Sequence, residues 1–88
     1  MGSVGVNSRT SYQIAMMESS IPKRQKAIRK LMNKTSVGGF LQLNSTYKLK
    51  KFRDDLWQLY KNDQQISFSF GDEWLKELTA TKTRDRYM

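Results

Sequence analysis

The sequence contains no cysteine and no histidine among its 88 residues. Disulfides and zinc sites built from these side chains are therefore excluded. A cysteine nucleophile and a Ser-His-Asp triad are excluded as well, since the first lacks its nucleophile and the second its general base. Carboxylates, lysine or tyrosine would have to carry any acid–base chemistry, and no such constellation is visible. We therefore expect a non-enzymatic protein with no cofactor and no metal site.

Long apolar runs are also absent. No stretch of about 18 apolar residues occurs, which argues against a membrane-spanning helix. The first 20 residues lack the apolar centre of a secretory signal, and the absence of cysteine suits a reducing compartment. We therefore expect a cytoplasmic protein that is not secreted. Its length allows one domain at most, which we place at residues 10–81, between a flexible tail at 1–9 and a basic tail at 82–88.

Acidic residues are missing from a long central segment. The chain has a formal net charge of +8, but residues 19–53 carry ten basic side chains and no acidic one. Residues 54–81 then have a net charge of −4. A surface selected only for solubility usually mixes both signs. The acid-free segment therefore favours an anionic partner, either nucleic acid or an acidic protein surface.

Helical spacing predicts two longer helices. Residues 20–34 begin with a serine cap and hold Pro22 in the first turn, where its missing N–H costs nothing. Residues 46–62 follow a second cap and have apolar residues at the 3-4-3 spacing of a buried helix face. These apolar residues are Leu49, Phe52, Leu56 and Leu59.

Alternation predicts the strands. Residues 65–70 alternate strictly between apolar residues and serine or glutamine, as in a strand with one face on the core. Residues 10–17 and 40–43 also favour strands, and a short helix is expected at 72–81. The predicted fold is a small α+β domain, about three helices and a short sheet covered on one face, in the order (β)-α-(β)-α-β-α. An all-helical fold with one hairpin is the alternative.

The helix at 20–34 is the main candidate for binding. Its basic residues lie opposite its apolar ones, and a row of cations can neutralise successive phosphates and release their counterions. The alternative is a solvated helix face that keeps the protein soluble. The candidate contacts are Lys23, Lys26, Arg29, Lys30 and Lys34, with Lys48 and Arg53 of the next predicted helix as extensions.

Two further lysines receive a structural interpretation. In a helix at 46–62, Lys50 and Lys51 lie four residues before Asp54 and Asp55. Pairs at this spacing stabilise a helix by about 0.2–0.5 kcal/mol. We therefore expect these lysines to serve the helix rather than a partner.

Aromatic residues offer a second type of contact. Trp57 lies off the apolar stripe of the predicted helix at 46–62, so it is a candidate anchor for a partner protein or a base. Packing against the N-terminal segment explains it equally well. Phe68 and Phe70 have the spacing found on sheets that stack bases. The same spacing suits a core face, and we assign both to the core.

Two functions follow from these observations. The first is a nucleic-acid-binding module for DNA or RNA that contacts phosphates, which would position the partner with little sequence specificity. The second is a protein-interaction module, such as a small inhibitor or adaptor of the phage or viral accessory type, whose basic face docks on an acidic surface or nucleic-acid channel. A membrane-surface role is disfavoured because the domain needs the apolar face of helix 20–34 for its core.

Overall fold

The structure is a computed structural model that describes residues 8–80 and 86–87. These residues form three helices and one antiparallel sheet. The predicted α+β class, with three helices and a sheet covered on one face, is confirmed. Most of the predicted N-terminal tail and most of the C-terminal one lie outside the described residues. The elements are α1 (Ser11–Ala15), α2 (Ile21–Lys34), β1 (Phe40–Gln42), β2 (Tyr47–Lys51), β3 (Leu56–Lys61), β4 (Gln64–Phe70) and α3 (Gly71–Thr79).

The four strands form a simple meander. Each pairs antiparallel with its neighbour in sequence, giving the order β1-β2-β3-β4. The β3–β4 connection is a two-residue turn in which Asn62 and Asp63 have φ values of 49° and 67°. Positive φ at both central residues is the requirement of a type I′ turn, and asparagine and aspartate tolerate it better than most residues.

The strand predicted at residues 10–17 is wrong, because this segment forms helix α1. The Thr10 side chain accepts a hydrogen bond from the Gln13 backbone N–H, and the Gln13 side chain accepts one from the Thr10 N–H, both at 3.0 Å. This reciprocal capping box starts a helix at Ser11. The alternating apolar residues that suggested a strand are divided between the core and the surface.

The helix predicted at residues 46–62 is also wrong. Its segment forms β2 and β3, joined by a polar turn around Arg53 and the two following aspartates. Leu49 and Leu59 face each other across the two strands and are buried, which is compatible with helical and with alternating spacing. Phe52, which the helical pattern placed in the core, is exposed.

Helix α2 agrees with the predicted helix at 20–34, and its two ends are held differently. The Ser20 side chain accepts a hydrogen bond from the Lys23 N–H at the start. At the end, the Lys51 ammonium on β2 donates to the carbonyl oxygens of Met32 and Thr35, at 3.3 and 2.9 Å. The predicted pairing of Lys51 with an aspartate is therefore replaced by a bond from the sheet to the helix layer.

The core lies between the helices and one face of the sheet, which we call the inner face. The sheet contributes Trp57 and several leucines, and the helices contribute apolar residues of all three. Tyr87, which we predicted in the basic tail, is fully buried; its ring packs edge-on against Tyr12 and Tyr47 at centroid distances of 6.3 and 5.0 Å. The other core members are Ala15, Met16, Ile28, Met32, Leu41, Leu43, Leu49, Leu59, Trp74, Leu75 and Leu78.

Strand β4 forms where it was predicted but presents the opposite face to the core. Its register sets Ser67 opposite Leu59 and Ser69 opposite Trp57, so the serines share the inner face. Ser69 is half-buried next to Glu73 and Trp74 of α3, which turns back over the sheet directly after β4, whereas Ser67 is exposed. Phe68 and Phe70 therefore point away from the core, and their assignment to it is wrong.

Candidate functional site

All four phenylalanines of the chain are on the surface, which is unusual for so apolar a side chain. Their exposed fractions are 45% for Phe40, 46% for Phe52, 66% for Phe68 and 57% for Phe70. Both tryptophans are buried, although their rings are larger. The domain therefore fills its core with other residues and leaves its phenylalanine rings in solvent.

Three of these rings lie on the face of the sheet opposite the helices, which we call the outer face. One row of paired residues crosses all four strands of this face: Phe40 on β1, Lys50 on β2, Gln58 on β3 and Phe68 on β4. Phe70 lies further along β4, opposite Leu56. The row thus begins and ends with an exposed ring and has polar side chains between them.

A second row adds another ring and another cation. Lys48 on β2 lies opposite Tyr60 on β3. The Tyr60 ring meets the Phe40 ring edge-on at a centroid distance of 5.7 Å. The Lys48 ammonium lies 4.5 Å from the centroid of the Phe40 ring, and that of Lys50 lies 6.0 Å from it. Ammonium groups at this distance are attracted to the ring face, so aromatic and cationic groups form one cluster.

A β-bulge extends this face along β4. The register shifts between Leu59 and Tyr60, so that β4 has one extra residue near Ile66. Ile66 is 49% exposed. Ile66 stands two residues before Phe68, and strand alternation assigns both to the same face of the sheet. We define the aromatic sheet face as Phe40, Lys48, Lys50, Tyr60, Ile66, Phe68 and Phe70.

One carboxylate lies at the margin of the aromatic sheet face. Lys48 Nζ is 3.0 Å from Asp63 Oδ1, in the turn between β3 and β4. The Asp63 side chain is 88% exposed. The Lys48 side chain is 25% exposed, and solvent around the aspartate keeps the contribution of the pair to about 1 kcal/mol or less. Lys50 forms no ion pair with the residues that the structure describes.

The basic residues predicted on helix 20–34 are all exposed on α2. The structure separates them, however, from those of the sheet, because α2 belongs to the layer that covers the inner face. Lys23, Lys26 and Lys30 line a groove between α1 and α2. Arg29 lies on the other flank of α2, where its guanidinium is 3.2 Å from Asp72 of α3, and Lys34 is in the last turn.

The residues predicted on the second helix are divided as well. Lys48 lies on the outer face, and Arg53 lies in the turn between β2 and β3. Trp57 is 2% exposed and faces the core, so the prediction that it anchors a partner is wrong. Its carbonyl oxygen accepts a hydrogen bond from the Trp74 indole N–H at 3.2 Å. The seven predicted basic contacts therefore do not form one patch.

Sequence reasoning missed the aromatic sheet face because it assigned β2 and β3 to a helix. A usable signal was present in the Asn62–Asp63 pair between two runs of alternating residues, which is typical of a tight hairpin. With that hairpin recognised, Lys48, Lys50 and Tyr60 fall on the face that β4 shares.

Other kinds of site find no support in the described residues. Over 8–80 and 86–87, no group of three or more carboxylates, histidines or cysteines is arranged to hold a metal ion. No helix in the same residues is long and apolar enough to span a membrane. Comparison with protein-family models, curated protein sequences and solved structures gave no match for the chain.

Proposed function

We propose that the protein is a non-enzymatic nucleic-acid-binding domain that holds single-stranded DNA or RNA on its aromatic sheet face. The observation that supports this proposal best is the exposure of Phe40, Phe68 and Phe70 on one face, together with Lys48 and Lys50. Exposed rings stack on unpaired bases, and lysines between them reach the phosphates. The proposal keeps the anionic partner expected from the charge distribution and moves its site from α2 to the sheet.

The shape of this face favours single strands over a duplex. Strands in a sheet are about 4.8 Å apart, so the four strands span roughly 14 Å before side chains are added. The major groove of duplex DNA is about 12 Å wide, which suits a helix or a two-stranded ribbon but not a broad sheet. Rings on a sheet can stack only on bases that are not already stacked within a helix.

The composition of the face also favours sequence-tolerant binding. Stacking contributes about 1–3 kcal/mol per base and depends little on which base is present. The polar side chains between the rings are mainly lysine, which contacts phosphates and carries no sequence information. The net charge of +8 increases the rate of association with a polyanion.

Fluorescence anisotropy with a labelled single strand of about 15 nucleotides, as oligo(dT) or oligo(U), tests the proposal. We expect Phe68→Ala to weaken binding by about 5- to 150-fold, the loss of one stacked base. Met17→Ala is the matched control, since Met17 is 58% exposed and follows α1 on the helical side. Replacing Lys48 and Lys50 by glutamine should reduce the slope of log K against log salt by about 1.4.

Two results would contradict this function. One is equal affinity of the wild type and Phe68→Ala for the single strand, with the Met17→Ala control also unchanged. The other is tighter binding to a duplex of the same length than to either single strand. The second result would return the site to the basic face of α2.

A further inference from the structure

A groove on the helical side of the domain is separate from the aromatic sheet face. It lies between α1 and α2 and has a volume of about 440 Å³. Ile14 and Ala15 of α1 line it together with Ala27 and Leu31 of α2. Its floor is therefore aliphatic, and none of the described residues that line it is aromatic.

Ile14 is the most informative residue of this groove. Helix α1 turns Tyr12, Ala15 and Met16 into the core and leaves Ile14 58% exposed. Burying an isoleucine side chain is worth about 1.5–3 kcal/mol, so an isoleucine that faces a groove is a favourable contact for an apolar ligand. Leu31 and Ala27, which are partly buried, continue the same apolar surface.

The walls of the groove carry mostly positive charge. Lys23, Lys26 and Lys30 line it from α2, at the spacing that places them on one side of a helix. Glu18 is the one acidic residue among the described residues that line it. The groove thus combines an aliphatic floor with a row of three lysines along roughly 10 Å of helix.

We propose that this groove binds an amphipathic acidic helix of a partner protein. The apolar side of that helix would rest on Ile14 and Leu31, while its carboxylates would face the lysine row. Helix-in-groove recognition uses such apolar anchors, and complementary charge fixes the orientation and speeds association. Nucleic acid fits this groove less well, since no described residue of its lining has an aromatic ring to stack on a base. This inference does not depend on the proposed function, and the two surfaces lie on opposite layers.

A synthetic peptide provides the probe. We would use a helix of about 14 residues, with leucine at every third or fourth position and glutamate beside the leucines, long enough for about four turns. The control peptide has the same composition in scrambled order. Binding is followed by peptide anisotropy and by the amide shifts of the ¹⁵N-labelled domain, with the largest shifts expected at Ile14, Ala27 and Leu31.

Two pairs of variants locate the contact without changing the rest of the chain. Ile14→Ser should weaken binding of the peptide about tenfold. Met17 is equally exposed (58%) but does not line the groove. Met17→Ser should therefore change the affinity for the peptide by no more than about twofold. Lys26→Gln should weaken binding about threefold, and Lys34→Gln, on the same helix beyond the groove, should have a smaller effect. Affinity for the single-stranded oligonucleotide should be unchanged in Ile14→Ser.

Three results would overturn the inference. The first is no shift at about 1 mM peptide, which corresponds to a binding free energy weaker than about −4 kcal/mol. The second is an equal affinity of Ile14→Ser and Met17→Ser for the peptide. The third is a dimer of the wild-type domain, detected by sedimentation, that is lost in Ile14→Ser. The groove would then be occupied by a second copy of the chain. None of these results bears on oligonucleotide binding.

Discussion

Lys51 connects the sheet to the end of α2, and its replacement by methionine gives a direct test of the structure. The ammonium donates to two carbonyl oxygens at the last turn of the helix, at 2.9 and 3.3 Å. It also lies 5.7 Å from the centroid of the Trp57 ring. Lys51→Met keeps an unbranched apolar stem one atom shorter than that of lysine and removes the ammonium group with its hydrogen bonds.

The expected loss of stability follows from these contacts. A hydrogen bond that involves a charged group contributes about 1.5–3 kcal/mol, and a cation at a helix C-terminus adds about 0.3–1 kcal/mol. The side chain is partly exposed and one of the two bonds is long, so we expect a total near 2 kcal/mol. For a domain of this size the melting temperature would fall by about 10 °C.

Urea unfolding followed by far-ultraviolet circular dichroism measures this loss. Lys50→Met is the matched control, since Lys50 lies one residue earlier and faces the outer side of the sheet. We expect the control to stay within about 0.5 kcal/mol of the wild type. A Lys51→Met variant that also stays within that range would refute the bond to α2. Such a small loss would instead agree with the helix predicted at 46–62, in which Lys51 would pair with Asp55 and contribute about 0.2–0.5 kcal/mol.

Three other substitutions test different parts of the structure. Asp63→Gly should raise the free energy of unfolding, measured with urea, by about 0.5–1 kcal/mol, because glycine adopts positive φ more readily. It should also tighten oligonucleotide binding, since it removes the acid beside Lys48. Weaker binding would contradict the site. Trp57→Ala should destabilise by about 3–5 kcal/mol as a core truncation, whereas an exposed anchor would leave the urea midpoint unchanged. Burial raises the pKa of the Tyr87 hydroxyl above 10.0, so this residue adds stability that is lost as the pH rises above about 10. Tyr87→Phe should therefore lose less stability than the wild type in urea titrations above that pH, and an equal loss in both would contradict the pKa shift.

Local signals in the sequence were sufficient for part of the fold. Helix α2 was predicted within a residue of its observed bounds because Ser20 and Pro22 define its start without reference to the rest of the chain. The strand at 65–70 was predicted for a similar reason, since its alternation is strict. Such signals act over a few residues and do not depend on tertiary contacts.

The errors arose where one pattern suited two structures. Leu49 and Leu59 are ten residues apart, and both a helix and a pair of strands can bury them. The turn around Arg53 holds no glycine or proline, so the break between β2 and β3 had no strong local marker. Alternation in β4 defined two faces but could not show which one meets the core. The register with Leu59 and Trp57 decides that, and register is a tertiary property.

The candidate surfaces depend on these same tertiary features. The charge distribution alone predicted an anionic partner, and that remains a prediction. The sequence could not show that Lys48 lies over the Phe40 ring on the sheet while Lys26 lines an aliphatic groove on the opposite layer. Both lysines belong to one acid-free segment, and only the fold separates them.

The contacts of Tyr87 have a consequence for the order of folding. Each strand pair of the meander joins neighbours in sequence, and such local contacts form quickly because little chain entropy is lost in closing them. The Gln13 side chain, by contrast, donates to the Tyr87 carbonyl oxygen at 3.0 Å across 74 positions of the chain. We therefore expect the sheet to be largely formed in the folding transition state and the Tyr12–Tyr87 contact to form after it. Substitutions at Tyr87 would then accelerate unfolding and leave the folding rate almost unchanged.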